Sequence, residues 1–65
     1  LSEKQLKLWN WALSLEKKEF SRKDAIEATG FPPRTVEAII KKLFDLKKLD
    51  RIGEGRGIRY RVLKN

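Results

Sequence analysis

The chain has 65 residues, a net charge of +7, no cysteine and no histidine. Sixty-five residues make one small domain with a thin core, because a chain of this size buries only about 60% of its unfolded surface. The missing residue types exclude disulfides, thiol redox chemistry and the common zinc sites, and they remove the usual catalytic base and nucleophile. We therefore expect no metal, no cofactor and no enzymatic activity.

The apolar residues indicate neither a membrane span nor a secretion signal. No apolar run approaches the roughly 20 residues that cross a bilayer, and the first residues lack the pattern of a signal peptide. A cytoplasmic location is the expectation. Because the chain begins at Leu1 rather than methionine, we interpret it as a single domain, residues 1–65, that could be excised from a longer protein.

The positive charge is concentrated in the second half of the chain. Residues 1–32 carry six basic and five acidic side chains, a net +1, whereas residues 33–65 carry ten basic and four acidic side chains, a net +6. This asymmetry favours a polyanionic partner. The alternative is a surface that only keeps the domain soluble.

The first predicted element is a helix over residues 3–17 with Ser2 as its N-cap. Its apolar residues form two stripes at helical spacing. We expect the first stripe to face the core: Leu6, Trp9 and Leu13. The second stripe is either wrapped by the rest of the domain or exposed for docking on a partner: Leu8, Trp11 and Leu15.

A short strand at 19–20 and a second helix over 22–29 come next. Ser21 and Asp24 have the spacing of a capping box, and Gly30 suits the left-handed position after a helix. Three residues of this helix should face inward: Ala25, Ile26 and Thr29.

The third predicted helix runs over residues 33–47, with Pro33 at its first position. Five residues form its expected core face: Val36, Ile39, Ile40, Leu43 and Leu46. A hairpin should follow, with one strand at 49–52, a glycine-rich loop at 53–57 and a returning strand at 58–62. The expected fold is therefore α+β.

The outer face of the third helix carries residue types that suit the major groove of DNA. Arg34 could bond a guanine edge, Ala38 allows close approach, and the two lysines could meet phosphates. The full set is Arg34, Thr35, Glu37, Ala38, Lys41 and Lys42. The alternative is an ordinary solvated helix face.

The hairpin supplies further arginines. Arg56 lies between glycines at the loop tip, where it could enter a narrow minor groove. The strand residues Arg51, Arg59 and Arg61 either contact phosphates or keep a sheet edge soluble.

The stretch SRKDAIEATGFPPRTVEAIIKKLFDLKKLDRIGEGRGIRYRV, residues 21–62, resembles winged helix-turn-helix modules. It is most similar to those of bacterial and archaeal transcriptional regulators and to the C-terminal module of Fic-domain and related multidomain proteins. The resemblance implies three helices, a two- or three-stranded antiparallel wing, and a third helix that reads DNA through the six residues named above, with Arg56 at the wing tip. It departs from the family at Pro32, where a capping hydroxyl is usual, and at Lys47 and Lys48, where glycine is usual.

The resulting hypothesis is a double-stranded DNA-binding module of a transcriptional regulator, acting as a dimer or within a longer chain. The competing hypothesis is a protein-interaction or dimerisation module that uses Leu8, Trp11 and Leu15. Binding of single strands is a weaker alternative, because Tyr60 is the only aromatic residue of the hairpin.

Overall fold

The computed structural model describes residues 1–53 and 55–63, with only the backbone at Arg56. Within them, three α-helices and a three-stranded antiparallel sheet confirm the α+β fold. The elements in chain order are α1 (Glu3–Ser14), β1 (Glu19–Phe20), α2 (Arg22–Thr29), α3 (Pro33–Asp45), β2 (Leu49–Ile52) and β3 (Arg59–Val62), with a short 3-10 turn at Gly55–Gly57.

Helix α1 begins as predicted and ends earlier than predicted. Ser2 and Gln5 form a reciprocal capping box, in which each backbone N–H donates to the other side chain. The helix ends at Ser14 rather than residue 17, because the chain turns at Lys18, whose φ is +57°, to enter the sheet. The Lys18 ammonium donates to the carbonyl oxygens of Leu13 and Leu15 at 2.6 and 2.8 Å, which satisfies acceptors at the helix end.

The second apolar stripe of α1 is more deeply buried than the first, of which Trp9 alone packs against the core. Leu8 is fully buried, and Trp11 and Leu15 pack against the core. Leu6 and Leu13, which were expected inside, are 44% and 40% exposed. Of the two alternatives for the second stripe, the structure therefore favours wrapping by the rest of the domain over an outward docking surface. The Trp11 ring packs edge-on against Phe20 of β1, with the ring centroids 5.2 Å apart.

Helix α2 has the predicted bounds and the predicted caps. Ser21 and Asp24 form a capping box, and Gly30 adopts a φ of +74°, which costs glycine little. Ala25 is buried, while Ile26 and Thr29 are half-buried on the same side. The inward face of α2 is therefore confirmed.

Helix α3 begins at Pro33 as predicted but ends at Asp45 rather than residue 47. The backbone N–H groups of Lys47 and Lys48 donate to the carbonyls of Phe44 and Leu43, both at 2.9 Å. These two bonds form a Schellman motif with lysine in the left-handed position, where Lys47 has a φ of +60°. The helix therefore ends sharply without glycine, and Leu46, expected in the core, is 45% exposed.

Strand β3 is the centre of the sheet, whose order is β1-β3-β2. Tyr60 pairs with Phe20 on one side and with Arg51 on the other. Tyr60 and Val62 turn toward the helices, whereas the alternate residues Arg59 and Arg61 are exposed. At the base of the loop Gly53 has a φ of +85°, and a Cβ there would lie 2.9 Å from the carbonyl oxygen of Gly57, so no larger residue fits without movement.

The core joins all three helices to the sheet. Its largest fully buried side chains are Phe20, Leu8, Leu43 and Val36. Phe20 contacts Trp11 of α1 and Tyr60 of β3, whose ring centroids lie 5.2 and 5.8 Å away. This aromatic group connects the helical layer to the sheet.

The burial of Leu8 and the exposure of Leu6 predict different results for two leucine substitutions. Leu8→Ala should lower the free energy of unfolding by about 2–5 kcal/mol, because it removes buried methyl groups and leaves a cavity. The matched control Leu6→Ala should change it by less than about 0.5 kcal/mol, because Leu6 is 44% exposed and alanine has the higher helix propensity. Urea unfolding followed by circular dichroism measures both. Equal losses for the two variants would contradict this orientation of α1.

Candidate nucleic-acid interface

The exposed face of α3 lies opposite its core residues. Val36 and Leu43 are fully buried, while Arg34, Ala38 and Lys41 are exposed on the other side of the helix. Lys42 is exposed and Thr35 is half-buried. The structure thus leaves the predicted outer face accessible, with a small residue between longer basic ones.

Glu37, the acidic member of the predicted set, is held by an ion pair from another helix. Nη1 of Arg22 on α2 donates to Oε1 of Glu37 at 2.7 Å. Both side chains are more than half exposed, so the pair adds little to stability. It does fix the direction of the carboxylate and balances its charge beside α3.

A groove runs between α3, the first turn of α2 and the β2–β3 hairpin. Its volume is about 710 Å³. Four apolar and aromatic side chains line it: Ile40, Phe44, Ile58 and Tyr60. Four basic residues and Glu37 also line it, the basic ones being Arg22, Lys23, Lys41 and Arg51. Because cations outnumber the acid in this set, the groove has the charge that suits a phosphate chain.

Two of these cations, Arg22 and Lys23, are not among the residues predicted from the sequence to contact DNA. They belong to the nearly neutral half of the chain. One local signal could have found them: they occupy the first turn of α2, where the partial positive charge of the helix N-terminus disfavours basic residues. Basic residues placed against this preference are candidates for a role outside folding.

The hairpin arginines fall into two groups. Arg51 lines the groove, on the same side of the sheet as Tyr60. Arg59 lies 3.9 Å from Glu19 and 4.0 Å from Asp24, and Arg61 pairs in register with Glu19 and Asp50. The outer face of the sheet therefore mixes both signs of charge, and neither Arg59 nor Arg61 lines the groove. The side chain of Arg56 lies outside the described residues.

The N-terminus of α2, at the edge of the groove, is stabilised by Asp24. The carboxylate accepts a hydrogen bond from the Ser21 backbone N–H at 3.0 Å, and the Ser21 hydroxyl accepts one from the Asp24 backbone N–H at 3.1 Å. The backbone hydrogen bond from Ser21, the Ser21 side chain and the charges of Arg59 and Lys23 together lower the pKa of Asp24 from its ordinary 3.8. Asp24 therefore stays ionised and orders the turn that presents Arg22 and Lys23.

Comparison with known proteins supports the fold. The chain is similar to a segment of the DIP2311 protein from Corynebacterium diphtheriae, with a TM-score of 0.79 and 28% sequence identity. The match covers 91% of this chain and 11% of that chain. No protein-family model matches the chain, and no curated protein matches it significantly.

The described residues thus form a winged-helix-like module that is similar to part of a longer protein. Within those residues, no helix has the length and apolar character that crossing a bilayer requires.

The capping role of Asp24 predicts a pH dependence of stability. Because its folded-state pKa lies below 3.8, its contribution is present above about pH 3.8 and is lost as the pH falls through the folded pKa. Asp24→Asn should therefore lower stability at neutral pH and reduce the loss of stability on acidification. Urea unfolding of both proteins across the acidic range measures this difference, and two parallel pH curves would contradict it.

Proposed function

We propose that this chain is a double-stranded DNA-binding module of a transcriptional regulator. Helix α3 would enter the major groove, and the β2–β3 hairpin would lie on the adjacent backbone or minor groove. One observation carries the proposal: basic residues from α2, α3 and β2 converge on a single groove beside the exposed face of α3. The module would bind DNA in the cytoplasm and would catalyse no reaction.

The groove suits the backbone strand that separates the major and minor grooves of a duplex. If α3 occupies one groove and the hairpin the next, the strand between them must cross the space between α3 and the hairpin. Lys41 and Arg51 line that space from its two sides, and Arg22 and Lys23 line it from the first turn of α2. Each phosphate that they neutralise releases counterions and makes the affinity dependent on salt.

The outer face of α3 supplies candidates for base reading. Arg34 lies in the first turn, where its guanidinium could form two hydrogen bonds with a guanine edge. Ala38 lies one turn further on the same face and would allow close approach or contact with a thymine methyl group. Glu37, directed by Arg22, could accept a hydrogen bond from a cytosine amino group.

The comparison supports a modular role. A segment of similar fold forms 11% of the DIP2311 chain, so this architecture occurs within a much longer protein. A DNA-reading module attached to other domains fits that arrangement. The interaction module based on Leu8, Trp11 and Leu15 receives no such support, because those residues lie in or against the core.

The groove predicts which lysine controls the salt dependence of DNA binding. Lys41→Ala should reduce the slope of log affinity against log salt by about 1, because one phosphate contact is lost. Lys17→Ala is the matched control, since Lys17 is exposed but lies outside both α3 and the groove. Fluorescence anisotropy of labelled duplexes at several salt concentrations measures both slopes. Salt-insensitive binding, or equal slopes for both variants, would contradict the proposal.

Substitution of Arg34 in the first turn of α3 should reduce the ability of the module to discriminate between DNA sequences. Arg34→Ala should weaken binding to a duplex selected from a random pool by about 1–3 kcal/mol. Binding to an unrelated duplex should change much less, because the proposed contact is to a base edge rather than a phosphate. Competition between the two duplexes measures the ratio. An equal loss on both would show that Arg34 contacts only the backbone.

A further inference from the structure

An ion pair joins the first turn of α2 to the outer face of α3. Nη1 of Arg22 lies 2.7 Å from Oε1 of Glu37, a residue of a different helix. The two side chains are 53% and 56% exposed, so solvent screens the pair and it contributes little to the stability of the fold. Folding alone therefore does not explain why these two residues meet.

Arg22 occupies a position that a helix disfavours for a basic residue. It is the first residue of α2, where the partial positive charge of the helix N-terminus repels a cation. An acidic or neutral residue would suit this position better if only the helix mattered. Together with the weak ion pair, this placement indicates that Arg22 serves contact with another molecule.

Glu37 lies among the residues of α3 that would face the bases of a duplex. Helical spacing makes Arg34 and Lys41 its neighbours, three residues before it and four after it. Among the side chains that the structure describes, its ion-pair partner is Arg22. Phosphates repel a carboxylate on this face, and the guanidinium of Arg22 offsets that charge and holds the carboxylate in one direction.

The guanidinium of Arg22 can bind Glu37 and a phosphate at the same time. Arginine carries five N–H donors in a planar fork. The bond to Glu37 uses Nη1, and Arg22 also lines the groove, together with Lys23 and Arg51. A phosphate in the groove can therefore accept from other donors of Arg22 without breaking the ion pair.

We propose that Arg22 is a positioning residue for base recognition: it bridges a backbone phosphate to Glu37 and thereby makes α3 select cytosine. The inference rests on the proposed duplex binding and deepens it, because Arg22 determines specificity without touching a base. The Glu37 carboxylate accepts a hydrogen bond from the N4 amino group of cytosine. Thymine presents its O4 carbonyl at the same place in the major groove, and this oxygen repels the carboxylate.

Selection of bound duplexes from a random pool identifies the base that Glu37 reads. The unmodified chain should enrich a motif in which one position is cytosine, and Glu37→Ala should lose the preference at that position alone. Arg22→Ala should lose it at the same position, although Arg22 lies on another helix. Lys23→Ala is the matched control, since Lys23 lines the same groove from the same turn, while the ion pair to Glu37 comes from Arg22. It should weaken binding and keep the whole motif.

Competition between two duplexes measures the size of the effect. The second duplex has the cytosine–guanine pair at that position replaced by thymine–adenine. We expect a preference for cytosine of roughly tenfold in the unmodified chain and in Lys23→Ala, and of about twofold or less in Arg22→Ala. A double-mutant cycle tests whether Arg22 acts through Glu37: in the Glu37→Ala background, Arg22→Ala should leave the remaining preference at this position unchanged.

Three results would overturn the inference while leaving duplex binding intact. A motif that Glu37→Ala does not change would exclude base reading by Glu37. A cytosine preference that survives Arg22→Ala would show that Glu37 needs no positioning. An equal loss at every position in Arg22→Ala would show that Arg22 contacts only the backbone. Circular dichroism checks that each variant is folded, and Arg22→Gln, which keeps more of the side chain, replaces Arg22→Ala if the latter unfolds. If the unmodified chain enriches no duplex, the proposed function itself fails, and the inference fails with it.

Discussion

Phe20 occupies the position on which both layers of the domain depend. It belongs to a strand of only two residues, yet it is completely buried between Trp11 of α1 and Tyr60 of β3. Aromatic burial of this size is one of the larger favourable terms available to so short a chain. The requirement that Trp11 meet Phe20 sets the rotation of α1, which buries Leu8 and turns Leu6 and Leu13 outward. The same strand leads into Ser21, so the first turn of α2 and its two cations are placed by the way Phe20 enters the core.

Apolar side chains form the core of the domain, and its charged side chains lie on the surface. Within the described residues the buried side chains are all apolar, and every ion pair is at the surface, where it contributes little to stability. The positive charges beside α3 therefore contribute little to the stability of the fold and remain available to bind a polyanion. On the outer face of the sheet, by contrast, Glu19, Asp24 and Asp50 lie near Arg59 and Arg61 and offset them. Basic composition alone does not distinguish these two faces.

Much of the fold could be predicted because its signals are local. The capping box at Ser21 and Asp24, the left-handed Gly30 and Pro33 at the start of α3 act within a few residues, and the structure confirms them. The orientation of α1 could not be predicted, since both of its stripes are apolar and a distant contact with Phe20 chooses between them. The end of α3 was misjudged because lysine rarely adopts the left-handed conformation that Lys47 has there. Of the candidate site, the α3 face followed from helical periodicity, but the groove brings together residues from three elements and is visible only in the folded chain.

The central position of β3 has a consequence for the order in which the domain can be made. Synthesis completes all three helices and both edge strands before the strand that joins those edges. Until Val62 has left the ribosome, Phe20 lacks its cover from Tyr60, and β1 and β2 have no common partner. The apolar surfaces of the helical layer therefore stay exposed until the last strand of the sheet has been synthesised. Cooperative folding of this domain is tied to the release of its final strand rather than to the growth of its helices.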